Sequence, residues 1–339
     1  MTTTKSLKKT TSKILEQATV DKVTTKVSVG KLRTPKLPAL HRLIRDMSSE
    51  AYHGTEGTWS STQLKDIIDD EEVFIQKYIK KSVPRIEREA FDTGTYFHTG
   101  VLEPHKVKTE IAFFEGKTRF GKVWEVFKAA NAKKTIITAK QKEQGDGMIK
   151  AVKASPVAMS YLIGEPEISL FVELVVWKGN IHAPHFGKVL ALDGWKDFKG
   201  KVGDGFKLVV KCRADTLGDT FVSDLKSTSG RATNKGSVRG TISKYKYDLS
   251  ASLYMDLFSL MQEEVTAFIW IFASKENPCV GSWQATPKNI RVGRAKWMWA
   301  VKRLADLSAA KWEIVDYLRD ADPLPHETEW LEERELDLL

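Results

Sequence analysis

Cysteine is scarce in this chain. Cys212 and Cys279 are its two cysteines in 339 residues, too few for a disulfide framework or for a four-cysteine zinc or iron–sulfur site. A reducing, cytoplasmic setting is the expectation that follows. No run approaches the roughly 18 apolar residues of a membrane span, so no membrane association is expected. The N-terminus shows no apolar stretch of the kind a secretory signal carries. Residues 1–46 contain no Phe, Trp or Tyr, which excludes a packed core there.

What is present is the balance of a globular protein: 42% hydrophobic and 29% charged residues. Charge is unevenly spread. Residues 1–46 hold eleven Lys and Arg against three acids, and residues 313–339 hold two Arg against ten acids. The 40 basic and 31 acidic residues between them leave the body at +9, equal to the net charge of the chain. The composition predicts a flexible basic arm over 1–46, a folded body over 47–312 and an acidic tail over 313–339. A basic body points to a polyanionic partner, of which nucleic acid is the commonest; a solvated basic surface is the alternative.

Periodicity predicts helices first. Ser60 or Ser61 can cap a helix carrying Leu64, Ile67, Ile68, Phe74, Ile75 and Tyr78. Further helices are expected over 88–102, 120–131 and 138–162. The pattern then changes to strands over 168–177, 206–212 and 220–226, the first two separated by a Gly-rich stretch, 178–205, that reads as a long hairpin insertion. A helix over 245–262, an apolar strand over 265–272, a strand over 280–285 and a helix over 290–312 follow. This order predicts one α/β domain with a central mixed sheet flanked by helices.

The chemistry-bearing segment is Lys211-Cys212-Arg213-Ala214-Asp215, followed after eight residues by Asp224-Leu225-Lys226. Asp224 and Lys226 lie two apart on a strand and share a face. A hairpin would bring Asp215, at the end of its strand, beside them. Two carboxylates without a nearby thiol suit a hard cation such as Mg²⁺. Lys226 would then orient a water or stabilise a phosphoryl oxyanion. The plain alternative is two carboxylates on a polar strand face.

These blocks stand in an order that resembles the PD-(D/E)XK nuclease superfamily, and within it the exodeoxyribonuclease VIII (RecE-type) nuclease domains related to RecB-type nucleases. Asp46 to His53 followed by Trp59-Ser60-Ser61-Thr62-Gln63-Leu64 resembles the opening segment of that family. Gly94-Thr95-Tyr96-Phe97-His98 with Leu102-Glu103-Pro104 is similar to its Gly-Thr-aromatic-His helix. Ser155-Pro156-Val157-Ala158 and Glu167 to Phe171 resemble the approach to its first strand, and Tyr245 to Tyr254 the helix after its lysine. The likeness spans about residues 46–275.

The resemblance implies a restriction-endonuclease-like core over 47–312 and roles for individual residues. Asp215 and Asp224 match the metal-binding carboxylates and Lys226 the catalytic lysine. His98 matches a histidine ligand, and Glu167 a carboxylate that binds metal through water or is a polar strand end. Ser60 and Thr62 match hydroxyls placed for a DNA phosphate, with simple capping as the alternative. Tyr254 matches a tyrosine of the DNA-facing helix. Arg231 and the lysines after it are placed to contact phosphates, or form a solvated loop.

The implied activity is Mg²⁺-dependent exonucleolytic hydrolysis of linear double-stranded DNA, 5′ to 3′, in recombination, with Mn²⁺ as an alternative cation. The implied partners are DNA ends, a single-strand annealing protein and further copies of the chain in a ring. An endonuclease or single-strand nuclease on the same fold, or an inactive DNA-binding protein, are the other readings. Two departures stand out. Ala214 replaces the usual Pro, and Ser250 replaces a Gln whose side chain Ser is too short to copy.

Overall fold

The computed structural model describes residues 40–83, 89–116, 118–261 and 265–314. Most of the basic arm and nearly all of the acidic tail fall outside them. The strands are β1 (Leu43–Ile44), β2 (Thr58–Ser60), β3 (Ile111–Phe114), β4 (Thr135–Thr138), β5 (Glu165–Trp177), β6 (Asn180–Ala183), β7 (Lys188–Ala191), β8 (Gly194–Asp197), β9 (Phe206–Leu217), β10 (Phe221–Thr228), β11 (Ala267–Ser274) and β12 (Val280–Gln284). The helices that frame them are α1 (Ser49–Gly54), α2 (Ser61–Asp69), α3 (Glu89–Leu102), α4 (Lys122–Ala130), α5 (Ala139–Lys153), α6 (Lys235–Lys244), α7 (Tyr247–Ser259) and α8 (Pro287–Ala309).

The central sheet has the order β12-β11-β10-β9-β5-β6-β7-β8, with β1 beside β5 and β2 beside β9. It is mixed: β9 runs antiparallel to β5 and β10, whereas β10 and β11 are parallel and joined by a crossover through α6 and α7. The expected mixed α/β architecture is thus the observed one. β11 shows why its sequence is a continuous apolar run. Phe268, Trp270 and Phe272 face one helical layer, while Ile269, Ile271 and Ala273 face the other, as a strand covered on both sides requires. The first layer brings Leu64, Leu253 and Trp297 from α2, α7 and α8 onto the sheet. The second brings Phe97 from α3 and Met148 and Val152 from α5.

Several boundaries differ from the periodic reading, each for a local reason. The helix predicted through Tyr78 breaks at Asp70, whose Oδ1 accepts the Val73 amide at 2.9 Å and starts a new turn. The helix predicted over 138–162 ends at Lys153, because Pro156 opens a separate helix capped by Ser155. β9 runs on to Leu217, so Asp215 sits inside the strand rather than at its end. The body also begins before Met47. Leu43 and Ile44 pair with Leu170 and Ser169, and the His41 amide donates to Phe171 O at 2.9 Å. This short strand needs only two apolar residues, so it leaves no periodic mark in a basic, hydroxyl-rich segment.

The 178–205 insertion forms β6, β7 and β8, which extend the sheet beyond β5. It is fastened to the helical layer at Asp256. Trp195 Nε1 donates to Asp256 O at 2.7 Å, and Arg294 Nη1 donates to Leu192 O at 2.8 Å. The Asp256 carboxylate, 3% exposed, accepts from Arg294 Nη2 at 2.5 Å and Trp297 Nε1 at 3.0 Å. Every strong partner of this buried charge is supplied, the condition under which such a pair is tolerated. α7 and α8 meet closely: a Cβ on Gly293 would lie 2.0 Å from Asp248 O.

Candidate metal centre and active site

β9 and β10 pair at Leu217↔Val222 and Thr216↔Ser223, and then part. The gap is filled by a side chain. Asp215 Oδ2 accepts the Leu225 amide at 2.7 Å, replacing the carbonyl that a continuing ladder would offer. The other side of β9 is irregular at the same level. Its pairing with β5 includes Pro166↔Thr216 and Ile168↔Ala214 but skips Glu167 and Asp215 between them. Glu167 has φ +55, a left-handed conformation that costs a non-glycine residue about 1–2 kcal/mol. Strain of this kind persists where the surroundings impose it, and functional sites are the usual place.

α3 carries His98 to this spot, directly after Phe97, which is buried in the core beneath the helix. His98 Nδ1 lies 3.4 Å from Asp215 Oδ2. One ligand atom each from His98, Glu167 and Asp215 lies within 4.8 Å of the others. Arg213, two residues before Asp215 and on the same face by strand alternation, lies 2.5 Å from Glu167 Oε2 and donates to Met47 O at 2.9 Å. Burial, and then the nearby Asp215 carboxylate, push the Glu167 carboxyl up to about 7 in spite of Arg213.

Asp224 and Lys226 project from β10 beside this cluster. Lys226 Nζ donates to Asp224 Oδ1 at 2.5 Å. Asp224 is 4% exposed, and its Oδ2 has no hydrogen-bond partner. Burial raises the Asp224 carboxyl; Lys226 opposes the shift and Asp215 adds to it. Burial alone would lower Lys226, but the carboxylates of Asp224 and Asp215 outweigh it and hold the ammonium firmly protonated. The Lys226 ammonium also sits over the Tyr247 ring, 5.3 Å from its centroid.

The donor set fits a divalent cation. Carboxylates and one imidazole converge, and a buried, unpartnered carboxylate oxygen stands next to them. Hard oxygen donors of this kind suit Mg²⁺ or Mn²⁺. Cys212 is buried among the core side chains on the opposite side of β9 and offers no competing soft ligand.

The other residues singled out from sequence are dispersed around this centre. The Ser60 amide and hydroxyl both donate to Gln63 Oε1 at 2.9 Å, a capping role. Thr62 is exposed on the first turn of α2, and Arg231 is exposed in the turn after β10. Tyr254 packs on Phe268, and its hydroxyl is hydrogen-bonded to Ser61. Ser250 is buried in α7. Three residues at the site were not picked out from sequence: Arg213, Tyr247 and Lys65. Arg213 was readable in principle, because strand alternation puts it on the face of Asp215. Lys65 and Tyr247 meet only through the packing of α2 on α7.

Comparisons with known proteins bear on the fold. Residues 60–193, the stretch that holds His98 and Glu167, match a family described as "PDDEXK-like domain of unknown function (DUF3799)". No curated protein matches the chain. Among solved structures, a crystal structure from Eubacterium rectale described as a "Putative exonuclease" is similar over 83% of this chain and 95% of its own. Its TM-score is 0.51 at 15% identity, a likeness of fold. The family match likens residues 60–193 to PDDEXK-like domains, and the solved structure shares the fold.

Proposed function

We propose that the chain is a metal-dependent nuclease that hydrolyses DNA phosphodiester bonds, acting as an exonuclease on the ends of linear duplexes. The observation that carries this reading is the convergence of His98, Glu167 and Asp215 within 4.8 Å beside the buried Asp224–Lys226 pair. A cation held by these four acidic and imidazole side chains would supply Lewis acidity toward a phosphoryl oxygen. Lys226 keeps its proton and can donate it in a hydrogen bond to an attacking water or to a phosphoryl oxygen as charge develops there. Asp224 fixes that ammonium through Oδ1. Arg213 holds Glu167 toward Asp215. The +9 body supports a polyanionic substrate.

Exonucleolytic action, 5′-to-3′ direction, Mg²⁺ in preference to Mn²⁺, a ring of copies and an annealing partner are supported by the order of sequence blocks that resembles the exodeoxyribonuclease VIII type. The test is degradation of end-labelled linear duplex alongside covalently closed circles, with Mg²⁺ and with EDTA. Loss of linear DNA alone, only with Mg²⁺, and its abolition in Asp224→Asn and Lys226→Ala with folding intact, is the expected result. Cleavage of closed circles would move the reading to an endonuclease. Unchanged degradation in both variants would remove the site assignment.

A further inference from the structure

α2 places a second lysine at this centre. Lys65 lies one helical turn after Ser61, the residue bonded to Tyr254, and so on the same face of α2. Its Nζ lies 5.1 Å from the centroid of the Tyr247 ring, the ring that Lys226 also covers at 5.3 Å. The two ammonium groups therefore share one aromatic neighbour at the start of α7. Their surroundings differ. Lys226 is matched by Asp224 at 2.5 Å. Lys246, the residue before Tyr247, is matched too, by Asp69. Lys65 is half-buried and, among the described residues, makes no ion pair; burial and then the nearby Lys226 lower its ammonium to about 7, which the carboxylates of Asp224 and Asp248 only partly offset. A cation–aromatic contact attracts the charge but does not neutralise it. A phosphate oxygen that reaches both lysines would favour the charged form of Lys65.

We propose that Lys65 is a second phosphate-binding lysine of this site, gripping a backbone phosphate of the bound strand next to the one that Lys226 faces. The proposal rests on the nuclease reading above and adds a residue that sets the register of the strand. Lys65 is thus a binding residue that positions substrate, and its removal acts on affinity more than on turnover.

The test is binding of a short blunt duplex in EDTA, where cleavage plays no part, over a range of salt concentrations. Lys65→Met keeps the aliphatic stem on the Tyr247 ring and removes the charge; Lys65→Gln is the second neutral variant should the first fail to fold. Each neutral variant is expected to reduce the slope of log K against log salt by about 0.9, the value of one duplex phosphate contact. Lys65→Arg is expected to keep the wild-type slope, which a purely structural role would not demand. With Mg²⁺ added, KM should rise in the neutral variants with kcat little changed. Neutral variants that fold and bind with the wild-type slope would overturn the proposal and leave the nuclease reading standing. A wild-type chain that neither binds the duplex nor, with Mg²⁺, degrades it would overturn both.

Discussion

Asp215 accepts the Leu225 amide and also faces His98, so two substitutions there should behave differently. Asp215→Asn keeps an acceptor for the amide and removes the charge. It should fold with near wild-type stability and lose divalent-cation binding. Asp215→Ala leaves a buried amide unsatisfied and should also lose about 1–3 kcal/mol of stability. Urea denaturation in EDTA, together with calorimetric Mg²⁺ titration, separates the two. Equal stabilities would show that the amide bond contributes nothing. Glu167 makes a prediction about pH. Its folded-state carboxyl titrates at about 7, against 4.5 unperturbed, so between those values the folded chain binds more protons than the unfolded one. Stability of the metal-free protein therefore falls as pH rises through that window. Asp224 is shifted in the same direction. A cation needs the deprotonated carboxylates and removes the penalty. The rise in Tm caused by Mg²⁺ should be larger at pH 8 than at pH 6, and Glu167→Gln should shrink that difference. A Mg²⁺ shift identical at both pH values would contradict the burial argument.

At the scale of elements, α7 and α8 approach so closely that Gly293→Ala would drive a methyl into the Asp248 carbonyl. Backbone does not yield as a flexible side chain does, so the variant should lose about 1–3 kcal/mol in urea denaturation. Unchanged stability would mean that the helices can separate freely. The elements that were legible in the sequence are those whose burial is periodic or complete. β5 and β11 announce themselves as apolar runs, and β9 and β10 by shorter apolar stretches. α6 does not: Lys235–Lys244 is mostly polar and buries Val238 and Ile242 alone. β3 and β4 have four residues each, too short for a period to show. The site was legible in part for the same kind of reason. His98, Glu167 and Asp215 stand in local blocks with recognisable spacing. The parting of β9 from β10 and the left-handed turn at Glu167 arise from how three strands meet, which no single segment records. Lys65 reaches Tyr247 across 182 positions of chain, by helix packing alone.

At the scale of the whole molecule, the N-terminal segment stands out for its charge. Residues 1–39 hold nine Lys and Arg against two acids. From His41 onward the chain is tied to the sheet, and Arg45 pairs with Glu165 at 2.5 Å. Deleting 1–39 should flatten the salt dependence of DNA binding and leave Mg²⁺-dependent cleavage intact. Loss of cleavage in that deletion would make the arm part of the catalytic apparatus. Deleting through residue 46 removes β1 as well, and should lower Tm. The insertion acts on a different length scale. β5 carries Glu167 near one end and meets β6 at Val175–Trp177 near the other. Eight residues of extended chain between Glu167 and Val175 span about 26 Å. At 3.4 Å per base pair, that is about eight steps of duplex. On the proposed nuclease reading, contacts made where β6 leaves β5 lie that far from the metal-binding cluster. Their influence would be read in the shortest duplex the molecule can engage, as a ruler rather than as a tool.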